Sequence, residues 1–465
     1  MKILVVMPND TVYPVGIAYI TASLKKAGHL VDGIIFNNYD TLVEKLRNKY
    51  DFVASGGLSA EYIKLKHISN IAQHANTKII MGGGIITSEP ELMSKALNVD
   101  YSIIGEGEET IIELISCIEK NENLSNVKGI CYFDKGDLKI TENRNQIEDL
   151  DSIPWPDFDA FNYSKRLDSM KPTDQYYYDI FDYPREYTLV ASRSCPFLCT
   201  FCFHPAGNRY RQRSIDSIMN ELKERIPKYK INIVSIYDEL FSYSEERCYE
   251  FSKRFKEFAE TLSWEVKWGC QMRVSDINVE MLDAMKASGC FLVSYGFESY
   301  SKKILKSMKK AIKPEQIHNT IHKTLDRGIS IQGNFIFGDK AETLETAMET
   351  LEFWKGHPEA GIQLVSLMSC PNSEIYQYCI KKKIINDKLY FIKYQLFDFF
   401  NMTEMSNRDF CKLLDLIYIY QLKYSVCATP VKVYPDSIVV RCPHCEGIIQ
   451  YNNFTISNGK FHGII

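Results

Sequence analysis

The chain has 465 residues, a length that predicts two or three domains rather than one. Hydrophobic residues make up 45% of it, charged residues 25%, and the net charge is −4 at pH 7. This balance is typical of a globular protein and excludes a general nucleic-acid binder or a binder of anionic membranes. No apolar run approaches the ~20 residues needed to span a bilayer. The 14 cysteines do not form a secreted disulfide pattern, so we expect a reducing cytoplasm.

Residues 1 to about 120 alternate short apolar segments with amphipathic helical patterns, which predicts a Rossmann-like, doubly wound parallel sheet. Such sheets bind ligands beyond the carboxyl ends of their strands. Glycine-rich turns follow the third, fourth and fifth strands, and glycine allows a ligand to approach the backbone closely. The strands are predicted at residues 2–7, 31–36, 52–55, 78–82 and 101–104, and the helices at 17–27, 41–49, 61–74, 89–96 and 109–120.

A linker is predicted where two prolines, Pro154 and Pro156, disfavour a helix and extend the chain. A small β extension precedes this linker, within residues 125–150. A polar, tyrosine-rich stretch follows at residues 163–186, and we expect it to run over the surface. The first domain is therefore predicted at residues 1–145 and the linker at 146–186.

A second alternation of strands and helices runs from residue 187 to about 383. Its six strand–helix units are too few for a full eight-stranded barrel and suit a partial (β/α)6 barrel. We assign residues 187–390 to this barrel domain and residues 391–465 to a small α+β C-terminal extension. The barrel strands are predicted at residues 187–192, 231–237, 265–269, 291–296, 329–337 and 361–368.

Three cysteines, Cys195, Cys199 and Cys202, follow the first strand of the second domain. Thiolates are the natural ligands of iron–sulfur clusters, and three of them leave one iron of a 4Fe–4S cluster without a protein ligand. A metal site needs such an open position in order to act on a bound molecule. A group of buried apolar thiols is the structural alternative. A zinc or ferredoxin site would need a fourth ligand nearby, and the next cysteine, Cys248, is far away in sequence.

The Cys-x3-Cys-x2-Cys spacing, with an aromatic residue before the last cysteine, resembles the signature of radical S-adenosylmethionine (SAM) enzymes. The resemblance implies that the open iron binds SAM and that an electron from the cluster cleaves SAM to a 5′-deoxyadenosyl radical. The turn that begins at Cys370 departs from the more frequent Pro-Gly-Thr of these enzymes. The implied SAM contacts are Phe201 and Gly333 beside adenine, Asp238 and Glu239 at the ammonium group, Arg273 at the carboxylate and Glu298 at the ribose.

The first domain resembles the cobalamin-binding domain that precedes many radical SAM domains, over nearly all of residues 1–145. The matching stretches are residues 13–20, 28–31, 81–84 and 104–110. The Asp-x-His-x-x-Gly motif of many cobalamin proteins is absent, which implies that no histidine binds the lower face of cobalt. The alternative is a degenerate domain that binds nothing and only packs. The implied cobalamin contacts are Pro14, Gly16, Ser55, Gly82, Gly83, Gly84, Gly105, Glu106 and Gly107.

The C-terminal extension contains a predicted helix at residues 408–424, strands within 431–440 and a Cys-x-x-Cys pair, Cys442 and Cys445. Such a pair is half of a zinc ribbon. Cys427 or His462 would complete a zinc site, and a pair without metal is the other interpretation. We expect the extension to cap the mouth of the barrel and to contribute to substrate choice.

These features predict an enzyme that depends on a 4Fe–4S cluster, SAM and cobalamin. The resemblance implies methylation of an unactivated carbon or phosphorus through methylcobalamin. It also implies a small-molecule or peptide substrate and a reducing partner such as flavodoxin or ferredoxin. Radical cyclisation or rearrangement without methyl transfer is the alternative within the family. A non-catalytic cobalamin or iron–sulfur redox sensor is the alternative from a different class.

Overall fold

The structure is a computed structural model that describes residues 1–9, 14–172, 174–175, 177–241, 244–424, 429–434, 437–442, 446–452, 456–457 and 460–461. A seven-stranded sheet forms the first domain, in the order β2-β1-β3-β4-β5-β6-β7. Strands β1 to β5 are parallel, and β6 and β7 extend the sheet with antiparallel pairs. The strands are β1 (Lys2–Met7), β2 (Leu30–Ile35), β3 (Phe52–Gly56), β4 (Lys78–Gly82), β5 (Tyr101–Ile103), β6 (Ile130–Asp134) and β7 (Asp137–Ile140).

Helices cover both faces of this sheet, which is why β1 is a continuous apolar run rather than an alternating one. Ile3 and Val5 pack in one buried cluster with α1 and α6, whereas Leu4 and Val6 pack on the opposite face with α2, α3 and α5. The predicted doubly wound sheet is confirmed. The helices are α1 (Val15–Lys26), α2 (Tyr39–Leu46), α3 (Tyr62–His74), α4 (Gly84–Ser88), α5 (Pro90–Leu97) and α6 (Glu108–Glu119).

A six-stranded parallel sheet forms the second domain, in the order β15-β14-β13-β12-β11-β8, which confirms the predicted partial barrel. Its strands are β8 (Glu186–Leu189), β11 (Ile233–Ile236), β12 (Lys267–Met272), β13 (Cys290–Glu298), β14 (Ser330–Phe337) and β15 (Gln363–Ser366), and the short strands β9 (Ser192–Arg193) and β10 (Arg211–Gln212) form a ribbon beside it. Its helices are α8 (Ile215–Tyr229), α9 (Glu245–Ala259), α10 (Val279–Ala287), α11 (Lys302–Ser307), α12 (Pro314–Leu325), α13 (Leu344–Lys355) and α14 (Glu374–Lys381).

The tyrosine-rich stretch does not run over the surface throughout, so this expectation is wrong. It contains the helix α7 (Tyr163–Ser169), and the Tyr163 and Tyr178 side chains are buried. The physical reason is Glu186, a buried carboxylate at the start of β8. Tyr177 donates a hydrogen bond to Glu186 Oε1 at 2.7 Å, and Tyr163 donates to the Glu186 carbonyl at 2.6 Å. A buried carboxylate needs such donors, and the neighbouring tyrosines supply them.

The segment after the barrel packs back onto the first domain. It contains α15 (Lys388–Tyr390), a π-helical turn (Phe391–Gln395) and α16 (Asn407–Tyr424). Phe391 is buried in the same cluster as Met81 of β4, and Lys388 Nζ lies 2.8 Å from Glu89 Oε1. The helix α16 packs on α13 instead. The extension therefore joins the two domains.

The last part of the extension is a three-stranded antiparallel sheet of β16 (Thr429–Val433), β17 (Ser437–Arg441) and β18 (Ile448–Asn452), followed by the pair β19 (Ile456–Ser457) and β20 (Lys460–Phe461). Cys442 is buried next to β17. The other residues considered for zinc, Cys445, Cys427 and His462, lie outside the described residues. Among the described helices, none combines the length and hydrophobicity that crossing a bilayer requires.

Candidate active site

Two cavities adjoin where the carboxyl ends of the two sheets face each other. The first has a volume of about 680 Å³ and lies at the edge of the first sheet. The second has a volume of about 820 Å³ and lies at the mouth of the barrel. Both are lined by Leu58, Ala60, Gly84, Pro205 and Glu239, so the two spaces meet at these residues. Both sheets therefore present their ligand-binding edges to a shared region.

The wall of the first cavity combines glycine turns with apolar side chains. All nine residues predicted to contact cobalamin line it: Pro14, Gly16, Ser55, Gly82, Gly83, Gly84, Gly105, Glu106 and Gly107. A Cβ atom added at Gly16 or Gly105 would meet no protein atom within 4 Å, so both glycines leave room for a ligand against the wall. No histidine is among the described residues that line this cavity. A wide cradle of glycine turns and apolar side chains without a histidine fits a corrin ring that lacks a histidine ligand.

Gly83 is required by the backbone itself. Its φ is +87°, a conformation that L side chains rarely adopt, and a Cβ there would lie 2.7 Å from the Gly57 carbonyl oxygen. The turns after β3 and β4 therefore touch each other, and a side chain at Gly83 would overlap the backbone of the facing turn. This contact holds the two glycine turns together at the edge of the sheet.

Glu106 connects the first cavity to the barrel. Its Oε1 lies 2.8 Å from Arg193 Nη1 and its Oε2 lies 2.6 Å from Arg211 Nη1, while Glu108 accepts a 2.5 Å bond from Arg193. The guanidinium of Arg193 also lies 5.2 Å from the ring centroid of Tyr19. These ion pairs are buried, so they connect the first sheet firmly to the loop that begins the cysteine motif. The carboxylate predicted to face cobalamin thus binds two arginines of the other domain.

The three cysteines Cys195, Cys199 and Cys202 line the second cavity together. The motif follows β9, and the Thr200 amide donates to the Met308 carbonyl at 3.0 Å, which holds its loop on the barrel. The hydrogen bond with Cys202, together with the positive charge of Lys310, lowers the pKa of Cys199 to about 6. A set of three thiols on one wall, beside a cation that favours thiolates, fits a cluster with three cysteine ligands.

Lys310 is a site residue that the sequence analysis missed. Its Nζ lies 2.7 Å from Glu298 Oε1, and both residues line the second cavity. Burial opposes the charge of Lys310, but Glu298 and the Cys199 thiolate together raise its pKa. Glu298 has a φ of +63° at an irregularity between β13 and β14. This strained backbone turns the carboxylate toward the cavity, where the lysine holds it.

Arg273 stands at the end of β12 and lines the same cavity. Its guanidinium carbon lies 3.3 Å from the ring centroid of Phe197, and its Nη2 donates to the Ala311 carbonyl at 2.9 Å. Stacking on Phe197 holds the planar guanidinium in place beside the cysteine loop. A fixed guanidinium is well suited to bind a carboxylate in two-point fashion. Phe201 lies on the cavity wall as well.

Asp238 and Gly333 do not reach the cavity wall, unlike the other predicted SAM residues. Asp238 is fully buried, accepts a 2.8 Å hydrogen bond from the Ala191 amide, and burial raises its pKa to about 7. A Cβ at Gly333 would overlap the ring of Phe297. Successive side chains of a strand point to opposite faces, so Gln332 and Asn334 line the cavity instead.

Glu239, by contrast, lines both cavities and is partly exposed. Its carboxylate accepts a hydrogen bond from Nδ1 of His204, a residue that follows the cysteine motif. This bond raises the pKa of His204. Cys370, from the turn that departs from Pro-Gly-Thr, also lines the second cavity. His204 lies two residues after Cys202, but no sequence pattern pointed to its partner.

Two family matches cover most of the strands that carry both cavity walls. Residues 189–353 match the family described as Radical SAM superfamily, and residues 1–115 match the family described as B12 binding domain. A protein of Pyrococcus horikoshii named an uncharacterized methyltransferase is 28% identical over 405 residues, which cover 83% of this chain and 84% of that protein.

Further similar proteins include a cyclase and a solved methyltransferase structure. The anaerobic magnesium-protoporphyrin IX monomethyl ester cyclase of Cereibacter sphaeroides is 26% identical over 362 residues, which cover 74% of this chain and 57% of the cyclase. The radical SAM methyltransferase TsrM of Kitasatospora setae, solved with tryptophan substrate and a SAM analogue, superposes with a TM-score of 0.68 and 16% identity, covering 82% of this chain and 76% of TsrM. This last similarity shows the fold. The chain belongs to the radical SAM enzymes that carry an N-terminal B12-binding domain, and its cofactors are a 4Fe–4S cluster, SAM and cobalamin.

Proposed function

We propose that this enzyme methylates an unactivated carbon or phosphorus atom of its substrate. The observation that carries the proposal is the meeting of the two cavities at Pro205 and Glu239. When bound, the cluster supplies the electron that cleaves SAM, and cobalamin carries the methyl group. A substrate at the junction is within reach of both cofactors, and such placement is a large part of what an enzyme contributes to cofactor chemistry.

The side chains of the second cavity suit the charged groups of SAM. Cys195, Cys199 and Cys202 hold the cluster. The carboxylate of Glu239 faces the cavity and attracts the SAM ammonium group, and the guanidinium of Arg273 pairs with its carboxylate. Glu239 takes this role in preference to the buried Asp238. Gln332 and Asn334 take the place beside adenine that the sequence analysis assigned to Gly333.

The first cavity suits cobalamin because its wall combines glycine turns with apolar side chains, and the charges of Glu106, Glu108 and Arg193 on it are paired with one another. Glu106 acts here as a support, since its carboxylate already binds Arg193 and Arg211. The relative from Pyrococcus horikoshii, which is named a methyltransferase and spans both domains, favours methyl transfer. The substrate meets an apolar rim at the mouth of the second cavity, where Leu58, Met368 and Phe397 are exposed. This rim favours a substrate that has an apolar surface of its own.

Radical cyclisation without methyl transfer is the second candidate function, because a relative with 26% identity is named a cyclase. The cavities alone do not distinguish the two reactions, since both use the same cofactors. Product mass does: methylation adds one CH2 unit to the substrate, and cyclisation adds none. A redox sensor would bind the cofactors and leave SAM intact.

The test is anaerobic loading with iron, sulfide and cobalamin, followed by reduction in the presence of SAM that carries a CD3 methyl group. A metabolite extract supplies candidate substrates. We expect 5′-deoxyadenosine together with a product that carries the CD3 label. Cys199→Ala and a preparation without cobalamin are the controls, and both abolish the labelled product. Formation of 5′-deoxyadenosine with an unlabelled product favours cyclisation, and intact SAM with a fully loaded cluster favours the sensor.

Reductive cleavage of SAM also needs an electron donor and a reducing compartment. A flavodoxin or ferredoxin would deliver the electron to the cluster. No disulfide joins cysteines among the residues that the structure describes, which suits a reducing cytoplasm. The substrate is a small molecule or a peptide, because the junction lies within cavities of about 680 and 820 Å³.

A further inference from the structure

Three histidines lie together on the outside of the barrel, away from both cavities. His318 and His322 are one turn apart on α12, and His357 follows the end of α13. One ring nitrogen of each residue lies within 4.8 Å of those of the other two. The Nε2 atoms of His318 and His322 are 3.1 Å apart. Neither the cluster nor the cobalamin cradle uses these residues.

The spacing suits a metal ion. Zinc binds imidazole nitrogens at about 2.0–2.1 Å, so two nitrogens of one tetrahedral site are separated by about 3.3 Å. The 3.1 Å between the two Nε2 atoms on α12 is close to this value. Residues at positions i and i+4 share one face of a helix, which is how a helix supplies two histidines to one metal.

His357 is held in a fixed orientation. Its Nδ1 lies 2.8 Å from the Phe353 carbonyl, and its ring stacks on Phe353 with centroids 4.1 Å apart. Phe353 itself stacks on Tyr300 at 3.7 Å. A ring nitrogen that donates to a backbone carbonyl leaves the other nitrogen with its lone pair available to a metal, and this arrangement is typical of histidine ligands. The ring of His318 lies 5.3 Å from that of His357.

We propose that His318, His322 and His357 form a binding site for a divalent transition-metal ion. Neutral imidazoles favour zinc, copper, nickel and cobalt over magnesium or calcium, and zinc is the ion expected in a reducing environment because it has no redox chemistry. Water completes its coordination, since two of the three residues are exposed. The ion would connect α12 to the turn after α13 and stabilise that side of the barrel. No electron or group is transferred at this site.

The position of His318 and His322 on α12 would let a bound metal affect the active site indirectly, through the packing of this helix. The chain enters α12 at Pro314, shortly after Lys310, the lysine of the second cavity. Thr320 of α12 donates a hydrogen bond to the Val274 carbonyl at 3.1 Å, in the turn that follows Arg273. A metal on the outer side of α12 would therefore rigidify a helix that follows Lys310 closely in the chain and holds the turn after Arg273.

The test measures zinc bound to the enzyme after anaerobic loading with its cluster and cobalamin, equilibration with Zn²⁺ and desalting. His322→Ala and His357→Ala remove one ligand each and are compared with the wild type. His74→Ala is the matched control, because His74 is also exposed on a helix and its Nδ1 also lies 2.6 Å from a carbonyl of the preceding turn. Cys442→Ser tests whether the C-terminal cysteine holds the zinc instead.

We expect the wild type, His74→Ala and Cys442→Ser to bind one more zinc ion per chain than His322→Ala and His357→Ala. Zinc X-ray absorption of the Cys442→Ser enzyme shows nitrogen ligands at about 2.0 Å and no sulfur. Zinc also raises the melting temperature of the wild type but not of His322→Ala, because it binds only the folded state. Zinc that persists in both ligand variants, zinc bound by sulfur, or no bound zinc at all would overturn the proposal.

Discussion

The two cavity walls are built in opposite ways, although both lie at the carboxyl edge of a parallel sheet. The wall of the first sheet consists of glycine turns, with Gly83 pressed against Gly57 and open space beside Gly16 and Gly105. The wall of the barrel consists of thiols and buried charges. The difference follows the ligands: a large corrin ring needs room and backbone contact, whereas SAM and a cluster need thiolates and opposite charges at fixed points.

The barrel wall depends most on its cysteines, so a change there has the largest expected effect. Cys199→Ser removes a thiolate and is expected to abolish cluster loading and SAM cleavage, because a serine hydroxyl is a poor ligand for iron. The iron content of anaerobically loaded enzyme and the yield of 5′-deoxyadenosine measure this.

Cys370→Ser is the matched control for that substitution, because Cys370 lines the same cavity without belonging to the triplet. We expect it to keep its iron. Equal iron loss in both variants would contradict a cluster held by the triplet alone.

A second test removes the buried cation. Lys310→Met leaves Glu298 in a buried position without its partner, which is expected to lower the free energy of unfolding by about 3 kcal/mol. It also removes the positive charge that favours the Cys199 thiolate, so iron loading falls. Chemical denaturation and iron analysis measure the two effects.

Lys309→Met is the control for the lysine, because Lys309 is exposed and pairs with Glu374 at the surface. Surface pairs contribute little to stability, so we expect almost no change in unfolding. A loss in Lys309→Met as large as that in Lys310→Met would argue against a special role for the buried pair.

A third test concerns Glu106, whose ion pairs with Arg193 and Arg211 connect the first sheet to the barrel. Glu106→Gln removes the charge that binds Arg193 and Arg211 and is expected to cost about 2 kcal/mol of stability. Because the arginines flank the cysteine loop, we also expect slower SAM cleavage at unchanged iron content. Denaturation and a cleavage time course measure this. Glu109→Gln changes an exposed carboxylate on α6 and should leave both unchanged; if it does not, the effect of Glu106→Gln has another cause.

The smallest effect is expected for substitutions at Gly16 in the first cavity, because they reduce the space for the ligand without removing a charge or a metal ligand. The Cβ of a leucine at position 16 would have no protein atom within 4 Å and would face the cavity, so for Gly16→Leu we expect folding and iron loading to remain intact. Cobalamin affinity falls by about tenfold, the equivalent of about 1.4 kcal/mol. Titration of the enzyme with cobalamin measures the change.

Gly16→Ala, with a single methyl group, is expected to fall between wild type and Gly16→Leu. The graded series separates steric blocking from a general disturbance of α1. Unchanged cobalamin affinity in Gly16→Leu would mean that cobalamin does not lie against this part of the cavity.

Much of the fold was predictable from local patterns. The strand–helix alternation predicted both parallel sheets. Strands that are buried on both faces are continuous apolar runs, whereas the apolar residues of a surface helix recur with a period of 3.6 residues. The prediction that residues 163–186 run over the surface was wrong, because the tyrosines in this stretch do not follow a helical or strand period that would indicate which of them are buried. Tyr178 is buried with the Glu186 carboxylate, to which it donates a hydrogen bond, whereas Tyr163 donates to the Glu186 carbonyl and packs on Tyr187 and Tyr229. These partners come together only in the assembled barrel.

The site divides in the same way. The grouping of Cys195, Cys199 and Cys202 on one cavity wall was predictable, because residues that are this close in sequence stay close together in a loop. The sequence predicted which strand ends border the cavity, but it did not predict which side chains there face the cavity. Asp238 and Gly333 were therefore assigned to SAM, whereas their neighbours Glu239 and Asn334 line the cavity. The partners of Glu106 and Lys310 were decided only by the tertiary structure. A buried ion pair forms where folding brings two opposite charges together away from water. The two partners can be far apart in sequence, so no local sequence pattern predicts their contact.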